Sequence, residues 1–126
     1  MYKMPAGPSV GVDVDDTLIV WDDKIGEKYN LPMVDITCRG LKKTYYINPY
    51  NIEYVKKLAV RGHAVFVWSA GGSDWAEAAI EALELTKYVW AVGGKFTYYV
   101  DDIKDPTRVL GKYKFYDVDG TNMEDK

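Results

Sequence analysis

The segment Val10-Gly-Val-Asp-Val-Asp-Asp-Thr-Leu18 constrains this chain more than any other. A short β-branched run empties into Asp13, Asp15 and Asp16, and Thr17 follows at once. Carboxylates packed this closely repel one another and cost folding free energy. A divalent cation bound among them is the direct way to offset that cost. The chain is therefore expected to build a buried strand whose carboxyl end opens onto a charged site.

The surrounding sequence supplies a frame for such a strand. Residues 9–14 read as the strand itself. Residues 48–61 read as a helix: Asn48 caps it, Pro49 suits its first turn, Ile52, Val55, Leu58 and Ala59 share one face, and Gly62 ends it. Residues 63–68 form a second strand that runs into Ser69-Ala-Gly-Gly-Ser. A second helix is expected from Asp74, with Glu77 three residues on as in a capping box and Trp75, Ala79, Ile80 and Leu83 on its apolar face. Residues 88–92 and 97–101 suggest a third and a fourth strand. A helical turn led by Asp105-Pro106 is expected at 105–110, and a fifth strand at 113–118.

Strands alternating with helices imply an α/β domain with a mainly parallel sheet and right-handed crossovers. In such sheets the site lies at the carboxyl ends of the strands. The first strand ends in Asp13-Val-Asp15, the second in Ser69 and the fourth in Asp101-Asp102, so three strand ends are expected to converge on one crevice. Residues 19–47 fit neither a plain helix nor a plain crossover. Within them Met33–Cys38 and Lys43–Ile47 flank Arg39-Gly40-Leu41-Lys42, which reads as a β-hairpin turning at Gly40. Inserted directly after the first strand, it is expected to overhang the crevice as a small flap.

A hydrophobic strand followed by Asp13-x-Asp15-x-Thr17-Leu resembles motif I of the haloacid dehalogenase (HAD) superfamily, whose members are mostly Mg-dependent phosphatases. Phe66-Val-Trp-Ser69-Ala-Gly-Gly72 resembles its motif II, and Tyr98-Tyr-Val-Asp101-Asp102 its motif IV. Ile47-Asn-Pro49 leading into a helix, a strand and a serine is similar to small cap-less phage phosphatases and to the phosphatase half of phage polynucleotide kinases. The resemblance implies a single three-layer, Rossmann-like (HAD-like) domain over residues 1–126. It also implies Mg²⁺-dependent hydrolysis of a phosphomonoester through an aspartyl-phosphate. Asp13 is then the nucleophile and Asp15 the general acid and base, its pKa expected to be raised by Asp13. Thr17 is expected to orient Asp15. Ser69 would donate to the phosphate, with Ala70 and Gly71 offering backbone N–H groups. Lys95, which follows Gly93-Gly94, would stabilise phosphate and nucleophile, with Lys87 as its competitor. Asp13, the Asp15 backbone carbonyl, Asp101 and Asp102 would hold Mg²⁺, Asp102 directly or through water.

Two departures stand out. Asp16 occupies the position where the family commonly has glycine, and no large cap domain is present. Plainer alternatives exist for each motif: a solvated acidic loop, an ordinary turn at Ser69, and a helix-capping acid at Asp102. Arg39, Lys42 and Lys43 read either as a solvated hairpin face or as a clamp on an anionic substrate, a phosphorylated small molecule or a nucleic-acid end. Asp117-Val-Asp-Gly-Thr121 copies the acidic string without its strand-to-helix setting and reads as a surface turn. A non-catalytic metal-binding or scaffolding domain on the same fold is the rival from another class.

Composition narrows the classes further. A length of 126 residues suits one core, and a formal charge of −3 argues against a generally basic nucleic-acid-binding face. No apolar run is long enough for a membrane span, and Met1-Tyr-Lys-Met-Pro5 lacks the apolar stretch of a signal peptide. Cys38 has no partner for an internal disulfide, which fits a reducing cytoplasm.

Overall fold

The computed structural model describes residues 5–102, 104–105 and 114–124. It is a mixed α/β structure built on a three-stranded parallel sheet. In chain order, β1 (Ser9–Asp13) leads into the short β2 (Ile19–Val20) and α1 (Asp23–Lys28). The hairpin β3 (Met33–Cys38) and β4 (Leu41–Ile47) follows, then α2 (Pro49–Val60), β5 (Ala64–Ser69) and α3 (Ser73–Ala82). A 3₁₀ turn at Thr86–Tyr88 precedes β6 (Ala91–Gly94), and β7 (Lys114–Tyr116) and β8 (Asn122–Glu124) come last.

The parallel sheet has the order β1-β5-β6, with Val10 opposite Val65 and Val12 opposite Val67. These valines face the core, which also holds Ile52 and Val55 of α2 and Trp75, Ala76, Ala79 and Ile80 of α3. Both crossovers advance the same way across the sheet. A right-handed connection therefore sets α2 and α3 on one face. The expected third layer is absent among the described residues. The opposite face carries an exposed Gly11 and a half-buried Phe66 and Trp68. There Phe66, Trp68 and Phe96 stack edge to face, with ring centres 5.7 and 5.1 Å apart. Gly93 lies beneath this ladder, and a Cβ on it would come within 2.8 Å of the Phe66 ring.

The sheet is also less parallel than expected. Strands β2, β4 and β3 form an antiparallel sheet, and β7 and β8 another. The fourth strand expected at 97–101 does not form; Tyr98 and Val100 there are 81% and 99% exposed. With that strand unformed, its apolar side chains have no sheet neighbour to bury them. The helical turn expected at 105–110 lies outside the described residues but for Asp105. The expected fifth strand is β7, and Asp117-Val-Asp-Gly-Thr121 is the turn to β8: Asp117 Oδ1 and Asp119 Oδ1 accept from Val118 and Thr121 N–H, both at 2.8 Å.

Local chemistry explains most boundaries. Asn48 Oδ1 accepts from Tyr50 and Asn51 N–H, so α2 starts as expected. The flap turns on only Arg39-Gly40, both left-handed (φ +53° and +78°), the two-residue turn that matches strand twist. It is no loose overhang: Ile36 is fully buried in the main core and β3 packs on α3. Helix α1 was not legible as a helix. Asp22 caps it, accepting from Lys24 N–H at 2.9 Å. No helix among the described residues is long and apolar enough to cross a membrane.

Candidate functional site

The acidic loop is shaped by one carbonyl. Val14 C=O accepts from Thr17, Leu18 and Ile19 N–H at 3.3, 2.9 and 3.1 Å, which curls the chain sharply after β1. Asp16 pays for that curl with φ +57°, a conformation natural to glycine and tolerated by aspartate. Its exposed carboxylate accepts from Trp21 N–H at 3.1 Å.

Asp13 and Asp15, two residues apart, meet different partners. Lys95 Nζ lies 3.8 Å from Asp13 Oδ2. Lys95 follows the end of β6 and is held there by its N–H, which donates to Ser69 C=O at 2.9 Å. Burial raises the Asp13 carboxyl above its ordinary pKa. Lys95 and the Val14 backbone oppose the shift, and the charges of Asp15 and Asp16 add to it. Lys87, the competitor, stands instead over the Tyr88 ring at 5.2 Å.

Asp15 accepts from three protein donors. Ser69 Oγ donates to its Oδ2 at 2.8 Å, and the indoles of Trp21 and Trp75 both donate to its Oδ1, at 2.9 and 3.1 Å. Ser69 is fully buried and its Oγ also accepts Gly71 N–H at 3.0 Å. Its hydroxyl therefore serves Asp15 and the turn after β5 rather than opening to solvent.

Beside Asp15 opens a cleft of about 570 Å³ between the flap and the start of α3. Trp21, Tyr45 and Trp75 line it together with Ile36, Cys38 and Leu41. The three aromatic rings touch pairwise, with centres 5.1 to 6.2 Å apart. Burial, and then the Asp15 charge, raise the Tyr45 hydroxyl above its ordinary pKa. Asp16, Arg39, Lys43 and Gly71 complete the lining. Arg39 grips Asp74 with Nε and Nη2 at 2.7 and 2.8 Å and reaches Gly71 C=O at 3.0 Å. This hydrogen-bonded pairing lowers the Asp74 pKa. The capping box expected at Asp74 is corrected accordingly: α3 begins at Ser73 after Gly72, which makes no side-chain cap, and the Asp74 carboxylate is committed to Arg39 and Trp75 N–H.

The other expected site residues are dispersed. Lys43 Nζ sits over the Trp21 and Tyr45 rings at 5.3 and 5.4 Å, whereas Lys42 pairs with Asp35 at 3.6 Å, outside the cleft. Thr17 lies with Asp13 along a separate groove and is tied through its carbonyl, which accepts from Asn51 Nδ2 at 2.8 Å. Ala70 is exposed in the turn after β5. Asp101 and Asp102 are exposed on coil, because the strand expected to carry them does not form.

A hard cation needs several oxygen ligands at once. Among the described residues no group of three or more His, Cys, Asp or Glu side chains is arranged to hold a metal. The expected ligand set of Asp13, Asp15, Asp101 and Asp102 is not gathered in this arrangement.

Sequence reasoning missed Trp21, Tyr45 and Trp75 as site residues. Trp75 falls on the apolar face of the helix expected from Asp74, and Trp21 has no sequence pattern of its own. The one available signal was position: Trp21 follows the acidic loop and Trp75 follows Ser69-Ala-Gly-Gly within six residues. No protein-family model, curated protein or solved structure matches the chain.

Proposed function

We propose that the chain is a Mg²⁺-dependent phosphomonoester hydrolase of the HAD type, with a reduced Rossmann-like sheet. The observation that carries this reading is a convergence. Residues from the ends of three adjacent parallel strands meet pairwise, Asp13 with Lys95 and Asp15 with Ser69. The Asp13 carboxylate attacks phosphorus, and the P–O bond to the leaving group breaks as the aspartyl-phosphate forms. Lys95 neutralises the phosphoryl oxygens. Asp15 gives a proton to the departing oxygen, then takes one from the water that hydrolyses the acyl phosphate. Mg²⁺ bound at Asp13 would supply counter-charge to the acidic loop.

Turnover of a generic aryl phosphate with and without Mg²⁺ tests the reading. Asp13→Asn is expected to lower kcat by at least about 10³-fold while keeping the fold, since an amide cannot attack phosphorus. Substantial turnover in that variant would place the nucleophile elsewhere. A second reading, a non-catalytic scaffold, is favoured by one observation: both Asp15 carboxylate oxygens already accept from protein donors. It expects no turnover from the wild-type chain at any Mg²⁺ concentration.

A further inference from the structure

The cleft beside Asp15 has a composition that phosphate chemistry alone does not require. Asp15 lines it and Asp13 does not. In an in-line displacement the nucleophile and the departing oxygen lie on opposite sides of phosphorus. A group leaving toward Asp15 therefore enters this cleft. One wall is three mutually touching aromatic rings, Trp21, Tyr45 and Trp75, and the buried Ile36 and exposed Leu41 add apolar lining. Such a lining suits a flat π-system and offers little to a polyol.

The rim offers both kinds of hydrogen-bonding group. The Asp16 carboxylate and Gly71 carbonyl accept; the Arg39 guanidinium and Lys43 ammonium donate. The edge of a nucleobase presents the same mixture, whereas a plain phenyl ring presents neither. The volume, about 570 Å³, falls in the range of small-ligand pockets. Arg39 is also pre-set, since Asp74 holds it from α3.

We propose that this cleft is a nucleobase site and that the substrate is a nucleoside phosphomonoester, its base packed against the aromatic wall of Trp21, Tyr45 and Trp75. This rests on the hydrolase reading for the fate of the phosphate, but not for the binding of the base. The base can belong to a free mononucleotide or to the terminal residue of an oligonucleotide.

Two measurements on the full chain test the proposal separately from the chemistry. The first is calorimetric titration of the chelator-treated protein with a nucleoside that carries no phosphate. Binding is expected, weakened about tenfold by Tyr45→Leu and retained in Tyr45→Phe, which keeps the ring. The second compares kcat/KM for a nucleoside monophosphate, ribose 5-phosphate and phosphotyrosine. The nucleotide is expected to lead by about tenfold or more, and Tyr45→Leu to narrow that lead. Stronger use of a phosphorylated trinucleotide than of a mononucleotide supports the site in its oligonucleotide form, and the reverse in its mononucleotide form. Nucleoside binding without any turnover supports the base site and sinks the hydrolase reading. Turnover of all three phosphates at equal kcat/KM, with no nucleoside binding, overturns the base site and leaves the hydrolase reading standing.

Discussion

Asp15 is the residue on which the site turns, because a single carboxylate joins three segments of chain. Trp21 comes from the loop beyond β2, Ser69 from the end of β5 and Trp75 from α3. Ser69→Ala removes a donor to Asp15 and an acceptor for Gly71 N–H, so it is expected to cost about 1–3 kcal/mol, read as a lower denaturation midpoint. Asp13 carries the opposite sign. Its folded pKa is raised, chiefly by burial, so its contribution to stability is full below its unfolded pKa and lost as pH rises through the folded one. In chelated buffer at neutral pH, Asp13→Asn is therefore expected to raise Tm, by about 2 °C for a side chain that is partly exposed, and the gain should vanish in acid. A neutral-pH Tm equal to or below wild type would contradict the burial argument. At this scale the placement of Asp13, Ser69 and Lys95 at or just beyond the ends of the parallel strands was legible, because each follows an apolar run that reads as a strand. The indoles were not: a tryptophan on an apolar face already has a plain explanation.

Among the elements, the β3–β4 hairpin was legible from Gly40 in a short polar turn between two strand-forming runs, although β4 begins at Leu41 rather than Lys43. What the sequence hid is how tightly the hairpin is built in. Arg39, at its tip, bridges to Asp74 across 35 positions of sequence. Both side chains are more than half exposed, so the pair adds little to stability, about 0–1 kcal/mol. Its effect is on position. Arg39→Ala is expected to leave Tm within about 2 °C of wild type while speeding proteolysis at the hairpin tip; an unchanged digestion rate would show that the tip needs no latch. Helix α1 escaped notice because six residues carry too few periods to read. Gly26 within it faces the Tyr46 ring so closely that any Cβ collides. Gly26→Ala is expected to cost about 1–3 kcal/mol in chemical denaturation, and a neutral result would mean that α1 shifts freely on β4.

For the whole molecule, alternation of strands and helices gave the parallel sheet and its direction but not its layering. Periodicity says which face of a helix is apolar. It does not say which side of the sheet that helix will cover. The hairpin β7–β8 is attached through α2 by side-chain amides rather than by a shared sheet. Asn51 Nδ2 donates to Thr17 C=O and Tyr116 C=O at 2.8 and 3.0 Å, and its Oδ1 accepts Tyr116 N–H at 2.6 Å. Asn48 Nδ2 adds a bond to Tyr116 C=O at 2.8 Å. A buried amide thus links the acidic loop to the last hairpin. Asn51→Ala is expected to cost about 2 kcal/mol or more and to raise hydrogen exchange in both 14–18 and 114–124. Faster exchange in only one of the two would show that Asn51 does not couple them.

Two of the four tryptophans press their N–H groups onto one oxygen of Asp15. Indole emission responds in colour and intensity to charge beside the ring nitrogen. The carboxylate proposed to move the proton is thus wired to two intrinsic fluorophores. Stopped-flow emission from the unlabelled chain would then time each change at Asp15 as it happens, with Trp68 and Trp90 supplying a steady background.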